Sequence, residues 1–340
     1  MVEDFTPAEE EQRLYESVSE YLQRPEVAAI KHSQRALMVL VYRKILVSSS
    51  FAIAQTIESL IGNLDRQLTG LQPESVEALV KDVERYEEEI EEIAKKEDGE
   101  PIEAENGAAE AEQPDYTAAP EDIEKEKSEL SGFKKFAEGI NKNSKGDALL
   151  IALKRAFEHN RKMGWPEKAV IFTESKRTQQ YLFALLSQNG YEERITLFSG
   201  TNEGPLGRRA FERWERERFR HDKELKLSKE AAVREALIHE FKRCTNILIA
   251  TEAGAEGINL QFCNIVVNYD LPWNPQRIEQ RIDRCHRYGQ KRDVVVLNFL
   301  NRKNAADMRV FELLDKKLKL FEGVFGASDF FQRRRYRETA

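Results

Sequence analysis

Apolar residues recur at every third or fourth position in the first part of the chain. This spacing predicts helices over residues 26–67, with three serines at 48–50 marking a junction between two helices or a helix cap. A second helical pattern covers residues 73–93 and is a candidate partner for the first in a helical hairpin. The pattern therefore predicts a helical region over residues 1–97.

The pattern is lost after residue 97. Between Glu97 and Pro120 the sequence is rich in Glu, Ala, Pro and Gly and contains scarcely any large apolar residue. Such a segment cannot bury enough apolar surface to offset the entropy of ordering its backbone. We therefore expect an acidic disordered linker over residues 98–130.

From Gly146 onward, short apolar runs alternate with amphipathic stretches. This alternation predicts an α/β fold in which a mostly parallel sheet is flanked by helices. We expect a lobe over 131–327 and a basic tail over 328–340. The predicted strands are 169–173, 194–198, 246–250, 264–269 and 293–299; the predicted helices are 147–163, 176–188, 274–286 and 303–321, with a two-helix insertion over 205–243 whose loop lies near 221–227.

Charge is divided unevenly along the 340 residues, although the formal net charge is only −7. Residues 81–130 carry 6 basic and 20 acidic side chains (−14), whereas residues 131–340 carry 40 and 28 (+12). The excess in the C-terminal part suits a phosphate backbone, and scattered solvated charges are the alternative.

Three cysteines lie far apart without a C-x-x-C pair, so we expect reduced thiols and no metal site. The N-terminus is acidic and no apolar run is of membrane-spanning length. These features predict a soluble, cytoplasmic protein.

The first candidate for chemistry is the segment 248–261, in which a buried strand leads into a loop containing Gly254 and Gly257. Ligands gather at the carboxyl ends of strands in open α/β sheets, and glycine allows backbone amides to approach a phosphate closely. We predict phosphate contact at this loop, with an ordinary turn as the alternative.

The second candidate is the segment 280–290. Gln280, Arg284 and Arg287 follow helical spacing and would project from one face. Two guanidinium groups on one face favour a polyphosphate between them, and ion pairs with Glu279 and Asp283 are the alternative. The adjacent Cys285 and His286 have no partners at metal-ligand spacing, so packing or supporting roles are expected for both.

Four ordered segments resemble motifs IV, V and VI of superfamily 2 helicases. They are Ala-Val-Ile-Phe-Thr-Glu-Ser at 169–175, the segment 251–261, Asn-Tyr-Asp-Leu-Pro-Trp-Asn-Pro-Gln at 268–276, and the segment 280–290. The D-x-x-W-N-P-Q and D-R-x-H-R-x-G-Q patterns are most similar to the Swi/Snf branch, and within it to bacterial RNA-polymerase-recycling (RapA- or HepA-like) ATPases. The resemblance covers residues 146–327 and implies a RecA-like, P-loop-NTPase-type lobe.

The resemblance also implies roles for individual residues. Arg284 and Arg287 would reach the ATP phosphates, with Arg287 as the arginine finger. Gln280 would connect to the opposite lobe, and Gly257 and Glu256 would lie against the nucleotide. The residues expected to contact nucleic acid are Thr251, Glu252, Asn259, Thr173, Ser175 and Trp273, the last of which would also couple the strand to the cleft or simply pack.

Neither a G-x-x-x-x-G-K-[ST] phosphate loop nor a D-E-x-H-type magnesium motif occurs in the sequence. In this mechanism the phosphate loop and Mg²⁺ belong to a first lobe, and the fingers to a second. We therefore expect this chain to hold only the second lobe and to be inactive by itself. It would be a fragment, an engineered piece or one half of a split gene.

The leading hypothesis is the C-terminal lobe of a DNA translocase that uses ATP to remodel protein–DNA complexes. The expected partners are duplex or single-stranded DNA, a phosphate-loop lobe in cis or in trans, and RNA polymerase or another DNA-bound protein; no membrane is expected. A non-catalytic nucleic-acid-binding or adaptor module is the alternative, and a helical interaction protein built on residues 1–97 is a third. The 205–243 insertion is expected to form a helical protrusion that contacts DNA or the first lobe, and Arg216, Arg218 and Arg220 would take part in DNA binding. An ion-paired, solvated helix is the alternative.

Overall fold

A six-stranded sheet forms the centre of the lobe in the computed structural model. Its order is β1 (Val2–Phe5), β6 (Val295–Asn301), β5 (Ile265–Asn268), β2 (Ala169–Thr173), β4 (Ile247–Thr251) and β3 (Ile195–Phe198). Each neighbouring pair is parallel, which confirms the predicted α/β class with a mostly parallel sheet. The structure describes residues 2–24, 26–30, 42, 45–46, 48–71, 118–140, 143–200, 202, 204–218, 228–255, 257–272, 274–287, 290 and 292–301.

Helices flank the sheet and precede it. The first three are α1 (Glu9–Gln23), α2 (Ser50–Leu68) and α3 (Pro120–Gly139). Those of the lobe are α4 (Ser144–Lys162), α5 (Lys176–Leu186), α6 (Pro205–Arg218), α7 (Lys229–Arg243), the single turn α8 (Glu252–Ala255) and α9 (Pro275–Cys285). A π-helical turn, Ser187–Tyr191, and a 3-10 turn, Glu192–Arg194, lead into β3. Within the described ranges, none of these helices combines the length and apolar character that crossing a bilayer requires.

Both faces of the sheet are covered, which explains the continuous apolar sequences of its central strands. Ile171 and Ile249 lie in one core with Leu153 of α4 and Leu182 of α5, whereas the alternating positions of β2 and β4 face a second core formed with α7. All five residues of β2 and of β4 are buried. Parallel sheets covered on both faces require such runs rather than alternating polar residues.

The predicted insertion over 205–243 belongs to the lobe itself. Its two helices, α6 and α7, were expected, and the loop between them lies outside the described residues. Leu237 and Phe241, four positions apart on α7, enter the second core of the sheet. Trp214 of α6 packs on Ala232 and Ala236 of α7. The idea of a helical protrusion is therefore wrong for α7, because its apolar face covers the sheet.

The linker prediction is also wrong over residues 120–130, which form the first half of α3. Ile123, Leu130 and Ala137 recur every seventh residue, and all three are buried against α1 and α2. Glu126 accepts hydrogen bonds from the Tyr21 hydroxyl at 2.7 Å and the Ala28 N–H at 2.8 Å. A helix with few apolar residues is stable here because α1 and α2 provide an apolar surface against which those residues are buried. The predicted domain boundary at 130/131 consequently falls inside α3.

Two features of the N-terminal part differ from a purely helical region. Residues 2–5 form β1, which pairs with β6 at the edge of the sheet, and residues 26–30 are not helical. The cap predicted at the serines is confirmed, because the Ser49 hydroxyl accepts the Ala52 N–H at 3.0 Å. The patterns at 73–93 and 303–321, residues 98–117 of the linker and the basic tail lie outside the described residues.

Polar contacts join the helical region to the lobe. The Tyr269 hydroxyl donates to the Ser48 carbonyl at 3.0 Å, and the hydroxyls of Ser48 and Thr178 lie 2.8 Å apart. Arg177 donates to the Thr56 hydroxyl at 2.6 Å. These partners are mostly buried, so α2 is held against α5 in one orientation.

Candidate nucleotide and nucleic-acid site

The predicted site residues that end the strands, Thr173 and Thr251, lie at the carboxyl edge of the sheet. The register pairs Thr173 with Thr251 and Phe172 with Asn268, so β2, β4 and β5 end side by side. The α8 turn follows β4 directly, and the segment leading to α9 follows β5. This edge is where open α/β sheets bind ligands.

The loop after β4 depends on two glycines for different reasons. A Cβ atom on Gly254 would lie 2.8 Å from the Ser199 Cα and 3.0 Å from the Phe198 carbonyl oxygen, so this position tolerates only glycine without a backbone shift. Gly257 has a φ of +74°, a left-handed conformation that favours glycine. Gly257 and Asn259 are exposed, whereas Leu260 is buried and anchors the loop. Glu256 lies outside the described residues.

Helix α9 presents the predicted arginines. It begins at the Asn274 cap, whose side chain accepts the Gln276 N–H at 3.0 Å. Ile278, Arg281 and Cys285 are buried on one side, whereas Gln280 is exposed and Arg284 is partly exposed.

Arg287 lies beyond the end of α9, so its predicted placement on the same helix face as Gln280 and Arg284 is wrong. His286 has extended backbone angles (φ −97°, ψ 90°) and ends the helix. The last carbonyls have partners from the loop after β4 and from the segment after α9: the Leu260 N–H donates to Arg284 O at 2.8 Å, and the Gln290 side chain donates to Cys285 O at 3.0 Å. The exposed Arg287 side chain donates to the Asp283 carbonyl at 3.1 Å.

Arg281, which the motif reasoning passed over, has the largest side chain among the fully buried residues described. Its Nε donates to Glu252 Oε2 at 2.8 Å and its Nη2 to the same oxygen at 2.5 Å. Its Nη1 donates to Asn268 Oδ1 at 3.1 Å and to the Asp270 carbonyl at 2.8 Å. The guanidinium also stacks over the Phe172 ring. The Glu252 carboxylate is therefore engaged within the protein, and its contact with nucleic acid stays a prediction.

Asp270 and Lys145 form a second buried pair that sequence reasoning missed. The Lys145 ammonium lies 3.1 Å from Asp270 Oδ1 and over the Tyr269 ring. Burial by itself would raise the pKa of Asp270, but the Lys145 charge and hydrogen bonds from Lys145, the Thr173 hydroxyl and the Glu174 N–H lower it below its ordinary value. The sequence shows only a lysine near the start of one helix and an aspartate directly after a buried strand, and nothing in it indicates that the two side chains meet.

The hydroxyl residues predicted to contact nucleic acid are buried. Thr173 donates to Asp270 Oδ2 at 2.7 Å, and Ser175 caps α5 by accepting the Thr178 N–H at 3.0 Å. The Thr251 hydroxyl is buried without a hydrogen-bond partner in the described part of the chain. Their strand contacts, like that of the exposed Asn259, stay predictions. Trp273 lies outside the described residues.

Two of the three cysteines behave as packing residues. Cys263 and Cys285 are buried free thiols, and Cys244 is an exposed one. A hydrogen bond with Cys263, together with burial, raises the pKa of the Cys285 thiol well above its usual range. The expected packing role is confirmed for Cys285, whereas His286 is exposed. Among the residues with described positions, no group of three or more His, Cys, Asp or Glu side chains is arranged to hold a metal.

A scan against known protein families matches residues 150–289 to the helicase conserved C-terminal domain. The matched range contains β2 to β5, α9 and every predicted site residue. This segment is a helicase C-terminal domain. The likeness to the Swi/Snf branch is confirmed by its sequence relatives.

Several relatives share this helicase domain. An uncharacterized ATP-dependent helicase, YqhH, of Bacillus subtilis is 40% identical over 163 residues, which are 48% of this chain and 24% of that protein. The RNA polymerase-associated protein RapA of Vibrio cholerae is 56% identical over 50 residues, 15% of this chain and 5% of RapA. The chain therefore matches no more than about a quarter of the length of these relatives.

A solved structure with a similar fold is the SWI2/SNF2 ATPase core domain of Sulfolobus solfataricus. It is 16% identical, with a TM-score of 0.46 over 97% of this chain and 45% of that one.

Proposed function

We propose that this helicase domain is the C-terminal lobe of an ATP-dependent DNA translocase of the Swi/Snf type, and that it supplies arginine side chains to ATP held by a phosphate-loop lobe. The observation that carries the proposal is that the side chains of Arg284 and Arg287 are accessible and unpaired with a carboxylate among the described residues. Both are accessible at the end of α9, and within the described residues neither has a carboxylate partner. The alternative of ion pairs with Glu279 and Asp283 therefore loses its support for these two arginines.

The chemistry follows from the position of these arginines beside the loop after β4. As negative charge develops on the transferring phosphoryl group, Arg287 would stabilise it as the finger and Arg284 would support it. The exposed backbone at Gly257 would lie against the nucleotide, and Gln280 would contact the first lobe. Any magnesium ion would be held by the first lobe in this proposal.

DNA is the proposed second ligand. The net charge of +12 over residues 131–340 favours a polyanion, and the Thr251 hydroxyl at the carboxyl edge has no hydrogen-bond partner among the described residues. Thr173, Ser175, Glu252, Asn259 and Trp273 are the further proposed contacts. By analogy with RapA, a DNA-bound protein such as RNA polymerase is the proposed complex to be remodelled, and the cytoplasm is the proposed location.

DNA-stimulated ATP hydrolysis tests the proposal. The chain is assayed alone and together with a phosphate-loop lobe, with and without duplex DNA. We expect turnover only on combination, and a loss of about 10³-fold in kcat for Arg287→Ala. The matched control is Arg155→Ala, which removes an exposed arginine from α4.

Two outcomes contradict the proposal. Turnover by this chain alone would show that a first lobe is not required. DNA binding without turnover in any combination would favour the adaptor module instead.

A further inference from the structure

Arg281 joins the two segments to which the proposed function gives different ligands. Its own helix, α9, carries Arg284 and leads to Arg287, whereas its partner Glu252 begins the turn between Thr251 and Gly257. Two of its nitrogens bind one oxygen of Glu252, at 2.8 and 2.5 Å. Any displacement of the turn relative to α9 must therefore stretch or break these bonds.

The Nη1 atom of the guanidinium also makes two hydrogen bonds. Nη1 reaches the side chain of Asn268, at the end of β5, and the backbone carbonyl of Asp270. The guanidinium carbon Cζ lies over the Phe172 ring, 5.2 Å from the ring centroid. A planar fork with five N–H donors satisfies these partners together, which a lysine ammonium cannot do from a single point.

Stability is a weak explanation for such a pair. Only 2% of the Arg281 side chain and 11% of the Glu252 side chain are exposed. At that burial the desolvation of two charges offsets most of their attraction, and apolar residues of similar volume often stabilise a fold equally well. What apolar residues cannot provide is a directional connection between two particular segments.

We infer that Arg281 is a positioning residue that makes the β4–α8 turn and helix α9 move as one body. The inference rests on the proposed function and deepens it. Strand binding at the turn would be transmitted to Arg284 and Arg287 through the Glu252–Arg281 pair. Glu252 thereby acts on the two arginines through Arg281, in addition to its proposed contact with the strand.

The test compares the DNA stimulation factor, the ratio of kcat with saturating duplex DNA to kcat without DNA, in this chain combined with a phosphate-loop lobe. Arg281→Lys keeps the charge and removes the fork, and Glu252→Gln keeps the size and removes the charge. We expect each to lower the stimulation factor about tenfold. In Arg281→Lys, the DNA-free rate, the KM for ATP and the Kd for DNA should change less than about twofold. The double variant should lose no more than the worse single variant, because both act on one connection.

The matched control is Arg177→Lys, which removes a fork that binds Thr56 and Ser59 in the helical region. We expect it to leave the stimulation factor unchanged. Thermal unfolding of every variant identifies any that fails to fold. If Arg281→Lys fails to fold, Arg281→Gln replaces it. An unchanged stimulation factor in the folded Arg281 variants, or an equal fall with and without DNA, would overturn the inference and leave the proposed function standing. Absence of DNA-stimulated turnover in the unaltered pair of lobes would overturn both.

Discussion

Replacing Asp270 by Asn should destabilise the protein strongly, because it leaves the Lys145 ammonium buried without a counter-charge. The two side chains are 6% and 8% exposed, and the atoms Nζ and Oδ1 lie 3.1 Å apart. Coulomb's law at an effective dielectric constant of about 20 gives roughly 5 kcal/mol for unit charges at that distance. Removing one partner of a buried pair costs about 3–5 kcal/mol. We expect a loss of that size in the free energy of unfolding.

Urea denaturation at pH 7 measures this loss, and the double variant Lys145→Met with Asp270→Asn is its control. The double variant buries no unpaired charge, so it should recover a large part of the stability that the single variant loses. Asp270→Asn can keep an acceptor for the Thr173 hydroxyl and the Glu174 N–H, but the amide group then faces Lys145 in place of the second carboxylate oxygen.

Acid provides an independent arm of the same test. Because the folded-state pKa of Asp270 is lowered, its contribution to stability is complete above the unfolded-state value of about 3.9 and is lost as pH falls through the folded value. The unaltered protein should lose this contribution below about pH 4, and Asp270→Asn should not. A loss of less than about 1 kcal/mol in Asp270→Asn at pH 7 would refute the reasoning, since it would mean that water screens the pair.

Two further substitutions test other parts of the structure. Gly254→Ala should lower the free energy of unfolding by about 1–3 kcal/mol, because the new Cβ would lie 2.8 Å from the Ser199 Cα. Chemical denaturation measures this loss. An unchanged midpoint would show that the loop after β4 shifts to make room for the methyl group. Leu130→Ala removes a fully buried side chain from the core that α3 shares with α1 and α2. It should lower the free energy of unfolding by about 2–5 kcal/mol, as measured by thermal unfolding. A near-neutral result would support the predicted disordered linker at this position.

The amino-acid sequence determined the elements whose chemistry is local. Strands such as β2 and β4 are continuous apolar runs that only a doubly covered parallel sheet accommodates, so their existence was predictable. The cap at Ser49 and the helix after Pro275 follow from side chains that bond their own neighbouring backbone. The motif residues near Gly257 and Arg284 were found because their order along the chain resembles one helicase branch.

Only the tertiary structure decided features that depend on distant partners. β1 exists because β6 offers a free edge, and the first half of α3 exists because α1 and α2 receive three apolar side chains. The end of α9 before Arg287 involves a distant residue, because the Leu260 N–H binds the Arg284 carbonyl.

The pairs Arg281–Glu252 and Lys145–Asp270 join residues 29 and 125 positions apart, a separation at which no periodic pattern operates. Periodicity records which face of an element is buried. It carries no record of which charged side chain on that face meets which partner, because that depends on how the elements pack in three dimensions.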